Sequence, residues 1–80
     1  MSNELFVIKY YDGVHGFYSE LEKAKIILKK LYDEIPDYND YHFFIDVYNL
    51  VDSTYINSQT SYFYKNDILV FYNKTVIKNK

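Results

Sequence analysis

Eighty residues make one small domain, and a chain of this length buries only about 60–65% of the surface its unfolded form exposes. With no cysteine, neither a disulfide framework nor a thiolate zinc site can add stability. The net charge of −2, with nine lysines and no arginine, argues against the clustered positive surface that a nucleic-acid backbone requires.

The opening MSNELFVIKYY has no basic leader, and its apolar run is too short for a secretory signal. No stretch approaches the roughly 18–20 apolar residues of a membrane span. The expectation is a cytoplasmic protein without membrane contact, in which the acceptor pattern Asn73-Lys74-Thr75 is never glycosylated. Eleven Tyr and six Phe, 21% of the chain with no Trp, are the compositional outlier. Lys, Asn, Ile and Tyr together make 35 of the 80 residues, and all four have A/T-rich codons. Codon usage therefore competes with function as the source of the tyrosines.

Residues 5–11 are β-branched and aromatic and read as a strand. Asp12-Gly13 follows, a pair suited to a two-residue type I′ turn. That turn predicts a hairpin with Ile8 opposite Phe17, Tyr10 opposite His15 and Val7 opposite Tyr18. Phe6, Ile8, Tyr10, His15 and Phe17 then share the core face, while Val7, Lys9, Tyr11, Val14, Gly16 and Tyr18 share the other.

Ser19-Glu20-Leu21-Glu22 has the form of a capping box, Ser19 accepting from the Glu22 amide. Leu21, Ala24, Ile27, Leu28, Leu31 and Ile35 then recur at helical spacing, with Glu20, Glu22, Lys23, Lys25, Lys29, Lys30 and Asp33 on the opposite side. Pro36 disfavours helix at Ile35, so the helix should stop near Glu34.

Residues 37–41 are a polar loop. Residues 41–50 alternate, Phe43, Ile45 and Val47 on one face and Phe44, Asp46 and Tyr48 on the other, with Asp46 marking its face as outward. Residues 51–60 are less regular: Asp52-Ser53 and Asn57-Ser58 are turn-formers, with a possible strand extension over 54–56. Residues 61–65 and 68–72 flank Asn66-Asp67 as a second hairpin whose two faces are both apolar. The tail over 73–80 is Lys/Asn-rich and expected to fray.

The fold class is therefore α+β: an antiparallel sheet of four or five strands, in the chain order β-β-α-β-β-β, with one helix packed on one face. The other face would carry Val7, Tyr11, Tyr18, Phe44 and Tyr48, an apolar patch of the kind that marks a contact surface.

Asp12, His15 and Ser19 lie close enough in sequence to suggest a catalytic set. In the hairpin, however, Asp12 sits at the turn tip, roughly 20 Å from Ser19 at ~3.3 Å per residue, and triad members must touch. His15 and His42 lack metal-ligand spacing. Asp33, Glu34, Asp37 and Asp40 lack the glycine and spacing of a calcium loop. Gly13 and Gly16, the only glycines, cannot build a phosphate cradle. No catalytic residue, metal or cofactor is expected.

The run VIKYYDGVHGFYSELEKAKIIL followed by FFIDVYNL resembles small proteins of large DNA viruses of amoebae and of phages. The matching residues are Gly16-Phe17-Tyr18-Ser19, Glu22-Lys23-Ala24 and Tyr48-Asn49-Leu50, and the resemblance covers residues 5–52. It implies a small viral α+β protein without known activity, and it transfers no functional residue.

The reading that follows is a protein-interaction module of the host cytoplasm or virion, whose partner is another protein or a second copy of itself in a homodimer. Contact would run through the aromatic sheet face or a free strand edge. The alternative is single-stranded nucleic acid stacked on the Tyr/Phe-rich face.

Overall fold

A computed structural model describes residues 3–10, 13–35 and 42–73. The elements are β1 (Glu4–Tyr10), β2 (Gly13–Tyr18), α1 (Leu21–Glu34), β3 (Phe43–Val51), β4 (Thr54–Lys65) and β5 (Ile68–Asn73). All five strands form one antiparallel sheet in the order β2-β1-β3-β4-β5, with α1 on one face. The α+β fold and the chain order follow the sequence pattern.

The core lies between α1 and the strands at the centre of the sheet. Ile8, Ala24, Leu28 and Ile45 have no exposed surface, and Phe6, Phe43, Val47 and Tyr64 close around them. The alternation of β3 fixes this: Phe43, Ile45 and Val47 point to the helix, pairing with Tyr10, Ile8 and Phe6 of β1. The stripe of α1 supplies the facing layer, with Leu21, Ile27, Leu31 and Ile35 half-buried around Ala24 and Leu28. Beyond β3 the helix reaches the sheet through long side chains. Tyr32 stacks on Tyr64 with centroids 4.5 Å apart and donates its hydroxyl to Asp67, which ties the end of α1 to the β4–β5 turn.

The helix ends at Glu34, as Pro36 requires, with Ile35 extended and its N–H bonded to the Leu31 carbonyl at 3.2 Å. Its start differs from the expected capping box. Glu20 holds the extended N-terminal position (φ −125°, ψ 129°) and no side chain caps the helix. Tyr18 is packed into the core and Leu21 already faces it, so Ser19 and Glu20 are used as a linker and Ser19 cannot reach the Glu22 amide as an N-cap.

The first hairpin also departs from the expected register. Tyr10 pairs with Gly13 and Lys9 with Val14; the ladder then shifts so that Gly16 opposes Ile8, Phe17 opposes Val7 and Tyr18 opposes Phe6. His15 is the extra residue of a β-bulge. Gly13 is thus a strand residue, not part of the turn, while Tyr11 and Asp12 lie outside the described residues. The bulge changes the parity of everything after it, so Tyr18 packs on the core and Phe17 faces away from the helix. The ring ends of Tyr10 and Tyr18 lie over Gly13 and Gly16, where an added Cβ would meet their hydroxyls at 3.0 and 2.8 Å.

The other hairpins use two-residue turns with positive φ, Asp52 (49°) with Ser53 (67°) and Asn66 (53°) with Asp67 (66°), the type I′ geometry that short polar residues tolerate. β4 begins at Thr54 and runs for 12 residues, longer than the irregular segment expected there. Asn57-Ser58 is not a chain reversal but opens a second bulge, whose extra residues are Ser58 and Gln59. Val47 pairs with Thr60 and Tyr48 with Asn57, Gln59 takes φ 66°, and its N–H donates to Asn57 Oδ1 at 2.8 Å. Asn73, expected in the frayed tail, pairs with Thr60 in β5; residues 36–41 and 74–80 lie outside the described residues.

Leu28→Ala should destabilise the domain by about 2–5 kcal/mol through a core cavity. Ser19→Ala should change stability by less than about 0.5 kcal/mol, where a true cap would cost about 1 kcal/mol. Chemical denaturation followed by circular dichroism separates the two readings of the helix start.

Candidate functional site

α1 covers one face of the sheet; among the described residues no element covers the other. This open face carries Leu5, Val7 and Lys9 from β1, Val14 and Phe17 from β2, Phe44, Asp46 and Tyr48 from β3, and Tyr55, Ser61 and Phe63 from β4. Val7 is nevertheless only 3% exposed, because the open-face side chains pack sideways over one another.

At the centre of the face is a polar cluster joining three strands. Lys9 Nζ lies 3.0 Å from Asp46 Oδ2 and donates to the Tyr48 hydroxyl oxygen at 2.6 Å, while Ser61 Oγ donates to Asp46 Oδ1 at 2.7 Å. The Lys9 ammonium is 5.0 Å from the centroid of the Tyr48 ring. With the hydroxyl at 2.6 Å, it meets the oxygen at the ring's edge and not the π face. Asp46 does face away from the helix as expected, but it is buried, 9% exposed, rather than solvated. Burial alone would lower the Lys9 pKa; the hydrogen bonds to Tyr48 and Asp46 and the carboxylate charge outweigh it and hold it above the ordinary 10.5.

Beside this cluster runs a groove of about 440 Å³. β1 forms its floor through Leu5, Val7 and Lys9; Val14 and Phe17 line one wall, Tyr48 and Tyr55 the other. Phe17 is 63% exposed and Tyr55 47%. The bulge in β4 permits this wall, since it bends the strand whose far end carries Tyr55.

Of the expected contact residues, Val7, Phe44 and Tyr48 are on the open face, although Val7 lies beneath it. Tyr18 is on the helix face, and Tyr11 is outside the described residues. Phe17 and Tyr55 were missed. The sequence signal that places Phe17 is Gly16 directly after His15, a pair compatible with a bulge; Tyr55 is placed by continuing β4 past Asn57.

The enzyme-like set does not assemble. Ser19 is exposed at the bend before α1, and the His15 ring packs against Phe43 at 5.7 Å on the helix side. His42 packs against the same ring at 5.0 Å, and Tyr10 at 5.6 Å, so both histidines belong to an aromatic cluster. Among the described residues no group of three or more His, Cys, Asp or Glu could hold a metal ion, and no helix is long and apolar enough to cross a membrane. Asp33 is paired with Lys29 at 2.8 Å along the helix. No family profile, curated protein or solved structure matches the chain.

Lys9→Met should cost about 1–3 kcal/mol, less than a fully buried pair because the Lys9 side chain keeps 26% of its surface in water. Adding Asp46→Leu should recover most of that loss. A raised folded pKa means the stabilisation is complete below the ordinary 10.5 and is lost as pH rises through the folded value. The difference in melting temperature between wild type and Lys9→Met should therefore hold through neutral pH and shrink above about 10.5.

Proposed function

We propose that the protein is a non-enzymatic interaction module that docks a protein partner on the open face of its sheet. The observation carrying this reading is Phe17, a large aromatic residue 63% exposed at the rim of an apolar groove. Aromatic residues beside a preformed groove are the usual anchors of protein interfaces, because a rigid ring buries much area for little entropy.

The chemistry of the groove narrows the partner. Lys9, the one cation lining it among the described residues, is neutralised by Asp46, so this lining attracts neither phosphate nor a run of acidic side chains. The Tyr48 oxygen accepts from Lys9 and keeps its own proton to donate. A chain segment with an apolar side chain for the groove and a backbone carbonyl for Tyr48 fits both features. Base stacking on Phe17 and Tyr55 is the weaker alternative, because backbone cations would have to stand beside the rings. The resemblance of residues 5–52 to small viral proteins supports an accessory or virion role, in the host cytoplasm or the particle.

The test uses wild type and a Phe17→Ser/Tyr55→Ser double variant as baits in lysate of the cells that make the protein. At least one protein should be retained about tenfold more by wild type, a difference of about 1.4 kcal/mol, while both baits give cooperative melts. Identical retention on the two baits overturns the reading. A shift in the anisotropy of a labelled oligo-dT at about 50 mM salt, lost in the double variant, would instead favour nucleic acid.

A further inference from the structure

We infer that the protein forms a two-fold dimer by pairing the outer edge of β5 with the same edge of a second copy. This goes beyond the open-face reading and uses a different surface. Among the described residues the two edge strands of the sheet are β2 and β5, and they differ in kind. β2 is interrupted by the bulge at His15 and holds both glycines, features that blunt an edge against pairing. β5, Ile-Leu-Val-Phe-Tyr-Asn, has no charge, proline, glycine or bulge, and pairs with β4 in unbroken register. Ile68 is 65% exposed and Phe71 57%. Soluble proteins normally protect an edge of this composition, or cover it.

The backbone fixes how a second copy fits. The two-residue turn at Asn66-Asp67 makes Lys65 and Ile68 a hydrogen-bonded pair, so Ile68, Val70 and Tyr72 bond to β4. The N–H and C=O groups of Leu69 and Phe71 therefore point outward, away from the sheet. A two-fold axis normal to the sheet keeps each side chain on its own face, so paired residues must have equal parity. Centring the axis on Val70 sets Leu69 against Phe71 of the second copy and Ile68 against Tyr72, apolar against aromatic on both faces. Sliding by two residues one way would bring Asp67 against Phe71, and the other way would leave Ile68 without a partner among the described residues. The self-pair centred on Val70 sets only uncharged residues against one another over 68–72, with Asn73 meeting Asp67 of the second copy, polar against polar, and each contact is repeated by symmetry, which is what an isologous contact requires. It also covers Phe71, which packs on Tyr62 at 5.0 Å on the part of the helix face beyond α1.

The chain has no cysteine, so a single introduced thiol reports the contact without ambiguity. Val70 and its symmetry mate form a non-hydrogen-bonded pair with Cα atoms about 4.5 Å apart, within disulfide range. Under mild oxidation Val70→Cys should yield covalent dimer at least about tenfold faster than Ile26→Cys, a control thiol on the exposed side of α1. Wild type should sediment as a dimer, Phe71→Lys as a folded monomer by circular dichroism, and Phe17→Ser as a dimer. Equal oxidation rates, a monomeric wild type, or a dimer unmoved by Phe71→Lys overturns the inference. A dimer lost in Phe17→Ser but kept in Phe71→Lys also overturns it, placing self-association on the open face and leaving the docking reading to its own test.

Discussion

One helix of 14 residues is the only second layer that the described residues offer to five strands, and that constraint shapes the molecule. A sheet face without a cover must keep water from its backbone and its apolar side chains by using its own side chains. Here Lys9, Asp46, Ser61 and Tyr48 do so, binding β1, β3 and β4 together from above. The cluster also fixes register. A one-residue slip of β1 against β3 would carry Lys9 into the apolar core and put Ile8 outside. The charge pair is worth having less for its net energy, which desolvation reduces, than for the alternatives it forbids.

The same shortage of cover explains the uneven surface. Apolar residues at the middle of the open face are buried by their neighbours, as Val7 is, whereas those at its margins are flanked on one side alone among the described residues. Phe17 on one side and Ile68 and Tyr72 on the other are therefore exposed for a geometric reason before any functional one. What gives Phe17 meaning beyond this is the groove beside it; for β5 it is the uninterrupted edge.

The helix and β3 were legible because their patterns repeat over enough residues to leave one solution. Six apolar positions at helical spacing before Pro36, and Phe43 to Tyr48 alternating about Asp46, each determine a face. β2 was not legible. In Gly-Val-His-Gly-Phe-Tyr the glycines have no facial preference, and Phe17 and Tyr18 serve equally well inside or outside. Only tertiary packing, with Tyr18 over Gly16 and against Phe6, decides between two parities that differ by one bulged residue. Asn57-Ser58 misled for a related reason. An Asn side chain accepting a backbone N–H two residues on is turn chemistry, but a bulge needs the same bond within a continuing strand. With β4 cut short at that point, Tyr55 could not be placed at the groove.

The groove and the edge lie at opposite sides of the sheet, and sheet twist determines what they would do together. Across a β5–β5 junction the two copies of β1 are seven strand steps apart, about 34 Å at ~4.8 Å per step. Each step turns the sheet by about 20–25°, so seven steps rotate one groove by roughly 140–175° relative to the other. The two grooves would then face away from each other. A dimer of this kind cannot clamp one flat partner between its sites, and it gains no avidity for a single compact target. It can hold two partner molecules on opposite sides, so edge pairing would convert a weak docking face into a bridge between them.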